Sequence, residues 1–305
     1  MAEASRPTPR RWPSGKQHLV RALFSLGLAV SLAGPGLADG HMDSDRPPVP
    51  DLATSAAAPS PAPLIALDSA AGLDLLLQRI TLRADYAGLA QWFETQAYLT
   101  YCGVASSVIV LNSLALPAPV AENLSPYHLW TQTNLFAAPA SARLVTAAQV
   151  LGQGMSLEQL QGLLASQGAL VRQYHGDNLS LRQFRQLLQR GLANPADRLL
   201  ANYDRKALGQ AGGGHISPLA AYDPRSDRVL ILDVARYRYP AVWVATADLW
   251  RAVRTVDRSS GRSRGLLTIQ AGPPPPETSW PPGPNESEPP APAQRPGSAS
   301  LAPHR

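Results

Sequence analysis

The sequence predicts an α+β domain in which a helical half packs against an antiparallel β-sheet. Apolar residues at helical spacing dominate the first half of the folded region, at 68–82 and 102–114. Short apolar runs that are typical of strands follow at 199–203, 214–222 and 228–234. Helices that precede strands in this way are typical of α+β domains.

Each element has a local signal. Residues 158–166 and 181–190 have amphipathic helical patterns, and the serines just before them, Ser156 and Ser180, are favourable N-caps. Thr100 is expected to cap the helix that starts at Cys102. The last two strands flank an Asp-Pro turn, which predicts a hairpin, and their two apolar faces place it inside the sheet.

Proline content sets the predicted boundaries. The 30 prolines concentrate before and after the folded region, in segments that are too polar and too proline-rich to bury a core. The sequence therefore predicts a disordered linker at 39–63, a folded domain at 64–272 and a disordered tail at 273–305.

The N-terminal 38 residues are typical of an export signal. Basic residues precede an apolar run at 22–33, and small residues at 36–38 predict cleavage after Ala38. The apolar run is well below the roughly 20 residues that span a bilayer, so we expect an exported, periplasmic protein without a membrane anchor. Whether export is of the Sec or the twin-arginine type is left open.

The net charge of +5 and the pI of about 9.6 do not indicate a nucleic-acid partner. The basic residues are dispersed and lack interleaved aromatic residues, so no nucleic-acid binding is expected. A small anionic substrate and a homodimer are both compatible with this charge distribution.

Cys102 is the only cysteine in the chain. A lone thiol is either a buried apolar group or a reactive one, and exported proteins usually contain paired cysteines. A single unpaired cysteine in an exported protein therefore favours a chemical role.

His215 and Asp233 are each nine positions from Pro224. A hairpin that is symmetric about Pro224 would place them directly opposite each other, with Cβ atoms roughly 5 Å apart. Asp233 would then orient the imidazole and leave its other nitrogen for the thiol of Cys102.

Gln96 lies six positions before Cys102. Its amide is expected to donate, with the backbone N–H of Cys102, to the oxyanion that forms when a carbonyl is attacked. The glycines at 212–214 would let substrate approach His215 closely. A glutamine, a Cys-Gly at a helix start, and a late His and Asp follow the order found in papain-like cysteine enzymes, which predicts a papain-like fold.

The segments 95–116, 202–222 and 233–244 closely resemble the catalytic domain of phytochelatin synthase, especially its short prokaryotic forms. The resemblance extends from about 77 to 269 and rests on the motifs Cys-Gly-Val-Ala-Ser, Gly-His-Ile-Ser-Pro-Leu and Asp-Val-Ala-Arg-Tyr-Arg-Tyr-Pro. The family's cysteine-rich C-terminal region has no counterpart in this sequence.

The resemblance implies a glutathione γ-glutamylcysteinyltransferase. Cys102 would attack the Cys–Gly carbonyl of glutathione, expel glycine and form a γ-glutamylcysteinyl thioester, while Gln96 supports the oxyanion. His215 would protonate the leaving amine, oriented by Asp233. Transfer to water gives γ-glutamylcysteine, and transfer to a second glutathione gives a phytochelatin. Hydrolysis is expected to outweigh chain extension, in heavy-metal detoxification or glutathione turnover.

The resemblance also implies substrate-binding residues. Asp257 and Arg264 match positions that hold the amino and carboxylate groups of the γ-glutamyl end. Positions that are associated with the second substrate, or with support of the site, are matched by Arg205, Arg236, Arg238 and Tyr239.

No cofactor or metal site is expected in the protein itself, since the folded part has one cysteine and three histidines, His128, His175 and His215. In the family, cadmium or zinc arrives as a glutathione thiolate complex, as part of the substrate.

Two alternatives stay open. A papain-like peptidase that cleaves leader peptides has the same order of Gln, Cys-Gly, His and Asp. A periplasmic binding or metal-buffering protein would use Cys102 only as a ligand or as packing.

Overall fold

The computed structural model describes residues 60–273. The predicted signal peptide, the linker up to residue 59 and the tail beyond residue 273 lie outside the described residues. Two of the last four linker residues contact the domain: the backbone N–H of Ala62 donates to Asp248 Oδ2 at 2.7 Å, and Arg228 Nη1 donates to the carbonyl of Pro63 at 3.0 Å.

The prediction of an α+β fold is confirmed. Within residues 60–273 the helices are α1 (Ala70–Leu77), α2 (Tyr86–Gln91), α3 (Cys102–Ser113), α4 (Pro139–Leu144), α5 (Ala147–Gln153), α6 (Leu157–Ser166), α7 (Leu181–Ala193) and α8 (Thr246–Val253). The strands are β1 (Ile65–Ala66), β2 (Ala169–His175), β3 (Arg198–Asp204), β4 (Gly214–Asp223), β5 (Arg228–Ile231), β6 (Val242–Ala245), β7 (Val256–Asp257), β8 (Arg262–Ser263) and β9 (Gly265–Ala271).

The described strands form a seven-stranded antiparallel sheet in the order β1-β6-β5-β4-β3-β9-β2, and a separate hairpin of β7 and β8. Side chains alternate across the sheet. Leu200 of β3 packs in a core with α3 and α6, whereas its neighbours Leu199 and Ala201 pack on the other face with α7 and α8. Helices therefore cover both faces of the sheet, with α3 and α6 on one face and α7 and α8 on the other.

The predicted helix starts at Ser156 and Ser180 are confirmed. Each serine accepts a hydrogen bond from the backbone N–H three residues later, and a glutamine at that position bonds back to the serine's N–H. The predicted cap of α3 is wrong. Its N-cap is Tyr101, and the hydroxyl of Thr100 donates instead to the carbonyl of Leu151 at 3.2 Å.

The β4–β5 hairpin lies inside the sheet, as predicted, but its predicted register is wrong. Asp223 pairs with Arg228, so the turn comprises residues 224–227 and its centre lies beyond Pro224. A bulge between Leu219 and Ala221 shifts the pairing again. Asp233 follows the end of β5, and it is not the direct cross-strand partner of His215.

None of the helices in residues 60–273 is long and apolar enough to cross a membrane.

Candidate active site

Cys102 is the first residue of α3, and its thiol is almost completely buried. The helix is fixed on the sheet by Ser106, whose hydroxyl donates to the carbonyl of Ile216 in β4 at 3.2 Å. Because His215 precedes Ile216, this contact sets the start of the helix beside the histidine. The N-terminal end of a helix carries a partial positive charge, which favours a thiolate.

His215 links Cys102 to Asp233. Its Nε2 lies 2.9 Å from Asp233 Oδ1, and its imidazole is close enough to the thiol of Cys102 to lower the pKa of that thiol. Since Nε2 bonds the carboxylate, Nδ1 is the nitrogen that faces the thiol. The edge of the buried Tyr203 ring packs against the imidazole, with ring centroids 5.7 Å apart.

Asp233 reaches His215 because the chain continues beside β4 after β5 ends. The N–H of Leu232 donates to the carbonyl of Pro218 at 3.0 Å, and the N–H of Val234 donates to the hydroxyl of Ser217 at 3.4 Å. These two bonds hold Asp233, which lies between Leu232 and Val234, beside β4. Its carboxylate therefore reaches the imidazole although the two residues are not directly opposite each other.

The pKa of the Cys102 thiol is below its ordinary value. Burial by itself would raise this pKa, but the hydrogen bond and charge of His215 outweigh it, together with bonds from the backbone at Ile216 and Gly103. Burial would likewise lower the pKa of His215, but Asp233 and Cys102 raise it above its ordinary value. These opposite shifts favour a thiolate–imidazolium pair.

Arg205 holds the other side of Asp233. Its Nη1 and Nη2 donate to the two carboxylate oxygens at 2.7 and 2.9 Å, and both side chains are buried. Although burial would raise the pKa of Asp233, the hydrogen bonds and charges of His215 and Arg205 lower it to about 2. Asp233 is therefore a carboxylate at all pH values near neutrality.

A cavity of about 320 Å³ opens beside the thiol. Its lining includes Cys102 and His215 as well as Asp257 and Arg264. The charged pair is 3.2 Å apart, from Arg264 Nη1 to Asp257 Oδ2. The thiol of Cys102 and the predicted substrate-binding pair thus line the same cavity.

Asn202 is a cavity residue that sequence analysis did not identify. Its Oδ1 accepts from Arg264 Nη1 at 2.9 Å, and its Nδ2 lies 3.5 Å from Asp257 Oδ2. Ser259 also contacts this pair, since its hydroxyl donates to Asp257 Oδ1 at 2.8 Å. A buried asparagine within the apolar run of β3 was the available signal for such a role.

Gly214 makes room for Arg264. A Cβ atom at this position would overlap the guanidinium of Arg264. A side chain before His215 would therefore displace the Arg264 guanidinium from its present position, which is a reason for glycine in addition to the predicted access to His215.

Gln96 lies close to the segment that contains Asp233, since its backbone N–H donates to the carbonyl of Val234 at 3.0 Å. Its side-chain amide donates to the carbonyl of Tyr98 at 2.7 Å and to the hydroxyl of Tyr237 at 3.1 Å. The described residues that line the cavity do not include Gln96. Its oxyanion role stays a prediction, and it would require the amide to change partners.

Of the remaining predicted substrate-binding residues, Arg205 and Tyr239 lie behind Asp233. The guanidinium of Arg205 stacks 4.7 Å from the centre of the Tyr239 ring, whose hydroxyl bonds both the N–H and the carbonyl of Ala211. Arg238 lies over the same ring at 5.6 Å. The contacts of Arg205 are those of a residue that positions Asp233.

Arg236 faces a different space. Its guanidinium lies 5.3 Å from the centre of the Phe93 ring, and both residues line a second cavity of about 600 Å³ with Tyr86 and Asp68. Within residues 60–273, no group of three or more His, Cys, Asp or Glu side chains could hold a metal ion.

The thiol's pKa predicts its reactivity. Iodoacetamide reacts with thiolates, so alkylation of Cys102 should stay fast below the ordinary thiol pKa. His215→Gln removes the imidazolium charge that stabilises the thiolate and leaves the thiol buried. The pH at which alkylation reaches half of its maximal rate should therefore rise by on the order of two units. Because the chain has one cysteine, mass analysis of the alkylated protein reports on Cys102 alone.

His128→Gln is the matched control for this experiment, because His128 is exposed and its Nδ1 bonds only the carbonyl of Ala118 among the described residues. An unchanged pH profile in His215→Gln would contradict the proposed coupling of thiol and imidazole.

Comparison with known proteins identifies the family. A family model described as phytochelatin synthase matches residues 56–266. Glutathione gamma-glutamylcysteinyltransferase 1 of Lotus japonicus is 32% identical over 214 residues, which cover 69% of this chain and 41% of that protein. Glutathione gamma-glutamylcysteinyltransferase 2 of Arabidopsis thaliana is 32% identical over 193 residues, covering 63% of this chain and 41% of that protein.

A glutathione gamma-glutamylcysteinyltransferase of Schizosaccharomyces pombe is 27% identical over 217 residues, which cover 69% of this chain and 50% of that protein. The chain thus spans between two fifths and one half of the length of these relatives. The family model covers more than two thirds of the chain, including every residue of the cavity described above. On this evidence the chain belongs to the phytochelatin synthase family.

Proposed function

We propose that this protein is a cysteine-dependent acyltransferase that removes glycine from glutathione through a γ-glutamylcysteinyl thioester on Cys102. The observation that carries the proposal is the series Cys102–His215–Asp233, in which Asp233 bonds His215 and His215 lowers the pKa of the Cys102 thiol, beside a cavity that Asp257 and Arg264 also line. The names of the relatives, glutathione gamma-glutamylcysteinyltransferases, support the same substrate.

The charged pair Asp257 and Arg264 in the cavity lining suits the γ-glutamyl group, which carries an ammonium and a carboxylate on one carbon. The carboxylate would accept hydrogen bonds from Arg264, whose Nε is buried and has no hydrogen-bond partner among residues 60–273. The ammonium would donate to Asp257. A zwitterion inserted in this way replaces the direct contact between the two side chains without leaving either charge unpaired.

The first half-reaction forms a thioester. The Cys102 thiolate attacks the Cys–Gly carbonyl carbon, and the carbonyl electrons move to the oxygen. When this intermediate collapses, the C–N bond breaks and the imidazolium of His215 gives its proton to the departing glycine amine. Asp233 keeps the imidazole oriented throughout, and Arg205 keeps Asp233 ionised.

The second half-reaction releases the acyl group. Neutral His215 removes a proton from the acceptor, which attacks the thioester carbonyl, and the Cys102 thiolate leaves. Water as acceptor gives γ-glutamylcysteine, and the amine of a second glutathione gives a phytochelatin. We propose that water is the main acceptor, and that cadmium or zinc takes part as a glutathione thiolate complex, as substrate.

Incubation of the purified protein with glutathione, with and without cadmium, tests the proposal. Mass analysis should detect free glycine together with γ-glutamylcysteine, and any chain extension as a product with two γ-glutamylcysteine units. A protein that releases no glycine under either condition would contradict the proposed function. A larger yield of the extended product than of γ-glutamylcysteine would contradict the preference for water alone.

A further inference from the structure

Tyr203 is a buried tyrosine of β3 that lies directly opposite His215 in β4. Opposed side chains in an antiparallel pair share one face of the sheet, with Cβ atoms roughly 5 Å apart. The centres of the two rings are 5.7 Å apart, and their planes meet at 83°. The strand register therefore fixes an aromatic ring beside the imidazole, shielded from solvent.

The same stretch of chain supports two other parts of the site. Asn202, just before Tyr203, accepts a hydrogen bond from Arg264. Arg205, two residues after Tyr203, donates to both carboxylate oxygens of Asp233. The end of β3 thus contacts the charged pair and the aspartate through these residues, and the histidine through Tyr203.

The bond to Asp233 does not by itself hold the imidazole of His215 in one orientation. It restrains Nε2, but the torsion of an imidazole about its Cβ–Cγ bond is broad. A turn about that bond would move Nδ1 away from Cys102, and it would break the nearly perpendicular contact with Tyr203. Because Tyr203 lies in a close-packed core, its ring does not follow the imidazole, and the contact resists the turn.

The hydroxyl of Tyr203 stays protonated. Burial raises the pKa of Tyr203 well above its ordinary value, and the charge of Asp233 raises it further, against a smaller opposite effect of Arg205. The phenol is therefore neutral at every pH at which a cysteine–histidine pair works. The ring is the part of this side chain that acts on His215.

We propose that Tyr203 is a positioning residue whose ring holds the His215 imidazole in the orientation in which it bonds Asp233 and faces Cys102. The effect of Tyr203 on glycine release rests on the proposed function. Its effect on the reactivity of the Cys102 thiol does not.

Tyr203→Met tests the ring, because methionine fills irregular core space but is flexible. The kcat of glycine release should fall about ten-fold, the upper end of the contribution of one aromatic pair. The KM for glutathione should be unchanged, since Asp257 and Arg264 keep their contacts. Tyr203→Phe keeps the ring and should have the wild-type kcat. Tyr203→Ile, whose β-branched side chain suits a strand, is the second variant if Tyr203→Met does not fold, with the same expected result.

Alkylation of Cys102 by iodoacetamide gives a second readout. An imidazolium that turns away stabilises the thiolate less. In Tyr203→Met the pH of half-maximal alkylation should therefore rise by about one unit, which corresponds to a ten-fold weaker coupling. A purely structural role of Tyr203 would lower the melting temperature of this variant and leave the alkylation profile unchanged, and that result would overturn the proposal.

Tyr222→Met is the matched control, because Tyr222 is also a buried tyrosine of the same core. It lies on β4 seven residues beyond His215, roughly 23 Å along the strand. Tyr222→Met should lose a comparable amount of thermal stability and keep the wild-type kcat and alkylation profile. Equal effects of the two substitutions on kcat would contradict a specific role of Tyr203.

Alkylation does not require glutathione, so it separates this proposal from the proposed function. A shifted alkylation profile in Tyr203→Met, without glycine release by wild type, would contradict the proposed function and support the role of Tyr203. Glycine release with identical kcat and alkylation profiles in wild type and Tyr203→Met would overturn the role of Tyr203 alone. A higher KM with an unchanged kcat would place Tyr203 in substrate binding, and it would overturn the proposal as well.

Discussion

Replacement of Cys102 by serine is expected to reduce glycine release from glutathione by about 10⁵-fold or more. The pKa of the thiol is lowered by His215, which favours the attacking anion in the resting enzyme. A serine hydroxyl at the same place holds its proton much more strongly, and the ion pair with the imidazole is lost. Binding of glutathione should persist, because Asp257 and Arg264 are unchanged.

Single-turnover assays and intact-mass analysis check this expectation. Wild-type protein mixed with excess glutathione should carry an added γ-glutamylcysteinyl group, and Cys102→Ser should carry none. Ser107→Ala is a suitable control, because it removes a buried hydroxyl that bonds the Gly103 carbonyl in the same helix. If Cys102→Ser released glycine as fast as this control, the nucleophile would have been assigned wrongly.

Asp233→Asn is expected to lower kcat by about 10³- to 10⁴-fold. The carbonyl oxygen of an asparagine would turn toward Arg205, which only donates, so its amide N–H would point at His215 Nε2. That nitrogen would then have to accept, and the proton would move to Nδ1, which faces Cys102. An imidazole in this tautomer cannot take the proton of the thiol.

The same substitution leaves the buried Arg205 without its counter-charge, so the free energy of unfolding should fall by about 3 kcal/mol. Because the pKa of Asp233 is lowered to about 2, its ion pair stabilises the fold above the ordinary carboxyl pKa. This stabilisation is lost as the pH falls toward 2, so acid unfolding of wild type and variant should converge there.

Asp227→Asn is the matched control, since Arg185 binds Asp227 through two nitrogens, as Arg205 binds Asp233, but at the turn of the β4–β5 hairpin. The free energy of unfolding of this variant should fall by about 1 kcal/mol, and its kcat should be unchanged. Urea unfolding and steady-state kinetics of the two variants separate the effects. A kcat in Asp233→Asn equal to that in Asp227→Asn would refute the orienting role of Asp233.

The sequence by itself determined the parts that depend on local chemistry. Apolar periodicity and serine caps predicted α6 and α7, because a helix start needs only residues within one turn. The Cys-Gly at the start of α3 and the hairpin inside the sheet were also predictable, since each depends on a short segment. The motifs around Cys102, His215 and Asp233 were sufficient to identify the family.

Only the tertiary structure decided how those residues meet. The displaced turn and the bulge of the β4–β5 hairpin put Asp233 out of register with His215. Hydrogen bonds from the backbone N–H groups on either side of Asp233 to Pro218 and Ser217 nevertheless hold it close to the imidazole. Arg205 proved to bind a buried carboxylate, which its sequence position did not distinguish from a surface charge. Contacts between residues distant in the chain depend on the packing of whole elements, and the pattern of any single segment does not contain that information.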